Sequence, residues 1–163
     1  MMSTHPNTLL IERFYGALDE GEGATMESCY APDVQFSDPV FTDLRGPRAG
    51  AMWRMLTDAP GELRIELLEH DADEASGSAH WRAHYTFSET GRPVINDIHA
   101  RFLFEDGLIV DHRDQFSFYA WARQALGPTG LLLGWAPMVR SAVRRKAAAK
   151  LEEYTGASGQ ARR

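Results

Sequence analysis

Two stretches of this 163-residue sequence have the residue types and spacing for proton chemistry. His112 and Asp114 stand two apart in a run where Val110, Phe116 and Phe118 share their parity. On a strand, side chains two apart point the same way, their Cα atoms about 6.5–7 Å apart. An imidazole and a carboxylate on an otherwise apolar face are desolvated and coupled, the condition under which such groups exchange protons near neutral pH. Asp114 is then the general base or acid, and His112 tunes it or relays the proton. The competing reading leaves both in water at a cavity mouth, or tying down a helix end. Asp38, before Pro39 at the end of a short strand, is a candidate second carboxylate on the pocket wall; the plainer reading is turn chemistry.

Other candidates point away from metal or nucleophile chemistry. His80 and His84 share the polar face of a strand with Arg82 and Thr86, without the three or four convergent ligands a metal needs. No metal site is expected. The single Cys29 excludes an intramolecular disulfide framework and a cysteine zinc cluster, and reads as a small buried apolar residue. No glycine-rich phosphate loop, nucleophile elbow or serine-triad order is present, so no cofactor is expected.

The elements that must position these residues read helices first, then strands. Leu10, Phe14, Ala17 and Leu18 predict a helix over 7–20, stopped at Gly21. A short helix is predicted over 24–30, ending before Pro32, and a brief strand over 34–37. A third helix covers about 49–57. The period then changes to two, with strands over 63–70, 79–88, 93–104 and 108–119 and a hairpin turn at Glu105-Asp106-Gly107. This is an α+β fold: N-terminal helices packed on a strongly curved, mainly antiparallel sheet that forms a cone open at one end. Residues 1–127 make the conical domain. Residues 128–155 add an apolar run (131–138) and an extra C-terminal basic helix, and 156–163 are expected to fray. The cone is an apolar pocket lined by Trp53, Trp81, Tyr85, Phe102, Phe104 and Phe118, with Tyr15 and Asn96 as polar contacts.

Composition bounds the partners. The chain is 44% hydrophobic and 25% charged, as in a soluble globular domain. Residues 1–139 hold 10 Lys and Arg against 21 Asp and Glu, whereas residues 140–163 hold 7 against 2. An acidic body repels phosphate backbones, so nucleic acid is not an expected partner. A membrane partner for the basic tail is set below packing of the apolar run over the cone or a second copy. The outer sheet face, carrying His80, Arg82, His84, Asp97, His99, Arg101 and Arg113, is the expected homodimer surface. Four acidic residues and no apolar block in the first 25 residues read as no secretory signal, which makes the cytoplasm the default address. Fifteen Arg against two Lys suggests a GC-rich bacterial source.

Several segments resemble a known family. Residues 13–18 (RFYGAL), 30–34 (YAPDV) and 36–39 (FSDP), with Gly46 behind them, are similar to the opening of a SnoaL-like domain. Residues 106–109 (DGLI) and 112–116 (HRDQF) are similar to its closing hairpin. The resemblance spans about residues 7–126 and places the chain in the nuclear transport factor 2-like superfamily, with ketosteroid isomerase, limonene epoxide hydrolase, scytalone dehydratase and polyketide cyclases. It implies a conical fold, a deep pocket and a dimer. Asp38-Pro39 matches the motif that carries the isomerase base, but the oxyanion-hole tyrosine of that enzyme falls at Phe14 and its protonated acid at about Ala100. The segment 113–116 matches the hydrolase motif of a catalytic aspartate, while that enzyme's arginine and second aspartate fall at Trp81 and Ala83. The pocket aspartate and histidine of the cyclases fit Asp114 and His112 best. The function so implied is cofactor-independent proton transfer (isomerase, cyclase or dehydratase) on an apolar, flat or polycyclic small molecule. The alternative is a non-catalytic domain that binds a small ligand or dimerises.

Overall fold

The computed structural model describes residues 4–161. Helix α1 (Pro6–Glu20) starts where the His5 ring accepts the Asn7 N–H at 3.0 Å and stops at Gly21, whose φ of 75° is the left-handed closure glycine favours. Its apolar stripe, Ile11, Phe14, Tyr15 and Leu18, is buried. Helix α2 (Gly23–Ser28) ends two residues sooner than periodicity predicts. Tyr30 instead opens β1 (Tyr30–Ser37), opposite Ile109, and Pro32 sits where the register slips between Tyr30 and Gln35. The two-residue β2 (Leu44–Arg45) is too short to read from sequence. Helix α3 (Pro47–Asp58) and strands β3 (Leu63–Ala72), β4 (Ser76–Phe87), β5 (Arg92–Glu105) and β6 (Leu108–Gln115) follow.

The six strands lie in the order β2-β1-β6-β5-β4-β3. All neighbours are antiparallel except β1 and β6, which run parallel. This open sheet curves around α1 and α3 as an α+β cone. Strand β5 shows the alternation plainly: Val94, Asn96, Ile98, Ala100, Phe102 and Phe104 are buried and the intervening residues exposed. Strand β6 breaks that rule. Leu103 pairs with Asp111 but Phe104 with Ile109, leaving Val110 as an extra residue. The bulge turns both Ile109 and His112 fully inward.

Gly46 holds the corner between β2 and α3 at φ 57°, ψ −129°, its N–H on the Val34 carbonyl at 2.7 Å. A Cβ there would also lie 3.0 Å from the Pro32 carbonyl. Gly46→Ala is therefore expected to cost about 1–3 kcal/mol, read as a lowered urea midpoint.

The strand predicted over 108–119 is corrected by the structure. It ends at Gln115, the Ser117 hydroxyl accepts the Ala120 N–H at 3.1 Å, and Phe118 begins helix α4 (Phe118–Ala125). Phe118, Trp121, Ala122 and Ala125 recur at helical spacing and bury a small core of their own with Val94. Helices α5 (Pro128–Leu133) and α6 (Pro137–Ala161) complete the chain. Helix α6 extends through positions expected to fray; residues 162–163 lie outside the described residues. It crosses α3, with Leu151 buried, Arg48 paired to Glu152, and the Tyr154 hydroxyl 2.6 Å from Asp58. The basic helix, rather than the apolar run before it, closes the side of the cone.

Candidate active site

The cone encloses a cavity of about 540 Å³, walled by β3–β5 on one side and by Val143, Lys146, Ala147 and Lys150 of α6 on another. Asp38 and Asp114 both open into it, among Trp53, Trp81, Tyr85 and Asn96. Lys146 and Lys150 sit at its rim, 3.1 and 2.9 Å from the two oxygens of Glu89.

Asp114 ends a chain of buried hydrogen bonds. The Trp53 indole N–H donates to the Tyr30 hydroxyl at 2.8 Å. The Tyr30 hydroxyl lies 2.8 Å from His112 Nδ1, and His112 Nε2 lies 2.9 Å from Asp114 Oδ1. One arrangement satisfies every group: Trp53 donates to Tyr30, Tyr30 to Nδ1, and Nε2–H to the carboxylate. Burial, aided by the Asp114 charge, holds the Tyr30 hydroxyl well above its usual pKa, so it stays a donor. Phe14, Phe36, Trp53 and Phe102 ring the imidazole, with centroids 4.4–6.3 Å away. His112 has no exposed surface and does not reach the cavity. It holds the Oδ1 oxygen of Asp114, a residue that itself lines the cavity.

Asp38 is in a different setting. Its Oδ1 accepts the N–H groups of Val40 and Phe41 at 2.7 and 2.5 Å, and Arg144 of α6 clamps the same loop through the Pro39 carbonyl at 2.9 Å. The residue is partly buried and lines the cavity. Desolvation raises its carboxyl to about 7, with the Asp114 charge adding to the rise and the two backbone donors opposing it. The folded state thus keeps a proton on Asp38 that the unfolded chain loses near 3.8. Asp38 adds stability at acid pH that is lost as pH rises towards 7. Asp38→Asn is expected to flatten this dependence, so the stability difference between variant and wild type should grow in the variant's favour from pH 4 to pH 8 in urea titrations.

Neutral donors surround the carboxyls. Tyr85 takes a hydrogen bond from the Trp121 indole at 2.7 Å, and burial pushes its hydroxyl up to about 12, so it keeps its proton. The Trp81 indole N–H and the Tyr15 hydroxyl are buried without any hydrogen-bond partner, their rings 4.9 Å apart. Burial and the Asp114 charge keep the Tyr15 proton in place too.

The sequence-derived site therefore divides. The structure brings Asp38, Asp114, Trp53, Trp81, Tyr85 and Asn96 to one cavity. Tyr15, Phe102 and Phe104 lie in the core rather than on the cavity lining, with the Phe102 ring packed against Phe14 and Tyr15 of α1 and against Phe104. Phe118 is placed elsewhere altogether, since it belongs to α4 rather than to a strand. Sequence reading missed Tyr30, assigned to the end of a helix, and Trp121, assigned to no element. Only the helical spacing from Phe118 to Ala125 could have signalled the latter. Cys29 is buried, as expected of a small apolar residue. Among the described residues one group of three possible metal ligands occurs, His80, Asp97 and His99, on the outer sheet face away from the cavity. Arg82 already pairs with Asp97 there at 3.2 Å.

The fold and this cavity define a class. The chain belongs to the SnoaL-like domain family, whose model matches residues 11–112. No curated protein matches the sequence significantly. Among solved structures it is similar to an LEH-like epoxide hydrolase from M. tuberculosis, at 21% identity over 82% of this chain and 95% of that one, with a TM-score of 0.63. It is similar to TsrD from Streptomyces laurentii, at 22% identity over 78% and 98%, with a TM-score of 0.65. A protein from Xanthomonas campestris pv. campestris provisionally named a polyketide cyclase matches at 19% identity over 73% and 96%, with a TM-score of 0.64. At these identities the likeness shows the fold alone.

Proposed function

We propose that this protein is a small-molecule enzyme of proton transfer, of isomerase, cyclase or dehydratase type, acting on an apolar carbonyl compound in the cone. One observation carries the reading: two carboxyl groups with opposite surroundings open into one aromatic cavity. Asp114, fixed through His112, is the base, and its free oxygen takes a proton from a carbon beside the carbonyl. The electron pair moves onto the carbonyl oxygen, and a neutral donor, the Tyr85 hydroxyl, takes up the developing charge. Asp38, with its carboxyl near 7, returns a proton at another carbon, at a leaving hydroxyl, or at the oxygen of a second carbonyl whose C=O bond opens as the carbanion adds to its carbon, and proton exchange with water then resets both carboxyls. Each step moves one proton and calls for no redox partner.

A second reading has an observation in its favour. Asp38 Oδ1 is engaged by two backbone N–H groups, as in a purely structural turn, which suits a domain that only holds a ligand. Turnover assays separate the two. Cyclic β,γ-unsaturated ketones, β-hydroxy ketones and linear poly-β-keto thioesters are offered, with binding followed through Trp53 and Trp81 fluorescence. The enzyme reading expects at least one bound compound to rearrange, cyclise or lose water. Binding without conversion across all three classes contradicts it. Pairing of two copies through the outer sheet face is part of this proposal. Ile95 and Leu103 stand about half exposed there, and sedimentation equilibrium reads the assembly state.

A further inference from the structure

Beyond the cavity, the apolar run expected to pack on the cone is exposed. Leu131, Leu132 and Leu133 are 53, 69 and 49% exposed, Trp135 72% and Met138 77%. The five lie within eight residues at the turn from α5 to α6. The tip is held in shape from beneath. The Tyr119 hydroxyl donates to the Leu131 carbonyl at 3.1 Å, and the Trp135 indole to the Leu132 carbonyl at 2.9 Å. Gly130 packs α5 so closely on α4 that a Cβ there would fall 1.9 Å from the Ala122 carbonyl. These side chains are thus presented to solvent by a buttressed turn.

The charge around the tip points to its partner. Residues 115–151 contain six Lys and Arg and no Asp or Glu, whereas residues 1–114 contain nine against 21. Arg123 flanks the tip from α4, and Arg140 and Arg145 follow it along α6, whereas Arg144 is held on the Pro39 carbonyl. Arg140 lies over the Phe118 ring, 5.1 Å from its centre, and is exposed, as is Arg145. A second copy docked tip to tip would bring two such cationic segments together, at a repulsive cost. An anionic lipid surface offers the apolar tip a place to insert, the arginines a headgroup layer, and the acidic body a reason to face away. No helix among the described residues is long and apolar enough to cross a membrane.

We infer that the α5–α6 tip docks the protein peripherally on anionic membranes, with Leu132, Trp135 and Met138 inserted and the flanking arginines on the headgroups. Because α6 also walls the cavity, docking would set the site beside the bilayer, where apolar compounds dissolve.

The full chain can be tested with vesicles of phosphatidylcholine containing 30% phosphatidylglycerol, against phosphatidylcholine alone. Trp135 is the exposed one of four tryptophans, the other three being at most 5% exposed. Its quenching by brominated lipid therefore reports insertion. Binding to the anionic vesicles is expected to exceed binding to the neutral ones roughly tenfold or more, with part of the fluorescence quenched and 0.5 M salt releasing the protein. Leu132→Glu with Trp135→Ser should remove binding while leaving the melting temperature unchanged. Arg140→Gln with Arg145→Gln should weaken it by about tenfold. Equal binding by wild type and the Leu132/Trp135 variant, absence of quenching, or oligomers that dissociate in that variant would overturn the inference. Asp114→Asn should bind vesicles as wild type does, so failure of docking and failure of the proposed activity are distinguishable.

Discussion

Asp114→Asn is expected to lower turnover by about 10²- to 10⁴-fold, the usual contribution of a positioned general base. The amide keeps the volume of the carboxylate and can accept the His112 Nε2–H through its oxygen, so the 2.9 Å contact and the buried chain behind it survive. Its nitrogen then faces the cavity and cannot take a proton. The melting temperature and the affinity for a bound compound are expected to stay close to wild type. That combination separates a catalytic carboxylate from a structural one. Loss of folding with no separate loss of turnover would make Asp114 a packing residue.

The second large effect falls on stability. His112→Phe is expected to destabilise the fold by about 3–5 kcal/mol, because it strands a buried carboxylate and removes the partner of the Tyr30 hydroxyl at once. For a chain of this length that is a fall of roughly 10 °C or more in melting temperature, read by calorimetry. The aromatic ring itself fits the cage of Phe14, Phe36, Trp53 and Phe102, so lost volume is not the cause. His112→Gln, which keeps a donor towards Asp114, should recover part of the loss. If His112→Phe melts with wild type, the buried chain does not hold Asp114 in place. Turnover should fall with His112→Phe as well, since Asp114 then loses its fixed oxygen.

How much of this could be read from residues alone depends on which periodicity was at work. Strand β5 announced itself, because its buried and exposed positions alternate without interruption from Pro93 to Glu105. The same two-residue rule placed His112 and Asp114 inside the cone and paired them correctly. It could not see that Ile109, rather than the predicted Val110, would face inward, since the bulge at Val110 is a property of two strands together. The rule also ran too far, through Phe118, where a serine cap and a helical stripe take over. Tyr30 was hidden for a related reason. The proline two residues later suggested the end of a helix, whereas the chain had already become a strand paired with β6. Asp38 was legible both as a turn residue and as a candidate second carboxylate on the pocket wall. Its proximity to Asp114 was not, because it depends on how β1 lies against β6. The apolar run before α6 was visible at once, but hydrophobicity alone cannot tell a packed segment from a presented one.

The most direct test of the central claim, that Asp114 takes a proton from carbon in this cavity, is solvent exchange. A panel of apolar cyclic ketones is incubated with the protein in D₂O and read by proton NMR at the position beside the carbonyl, with Asp114→Asn run in parallel. The predicted result is deuterium entering at least one ketone that binds the cavity, at a rate that falls about 10²-fold or more in the variant. Binding without exchange, or exchange equally fast in Asp114→Asn, would contradict the account.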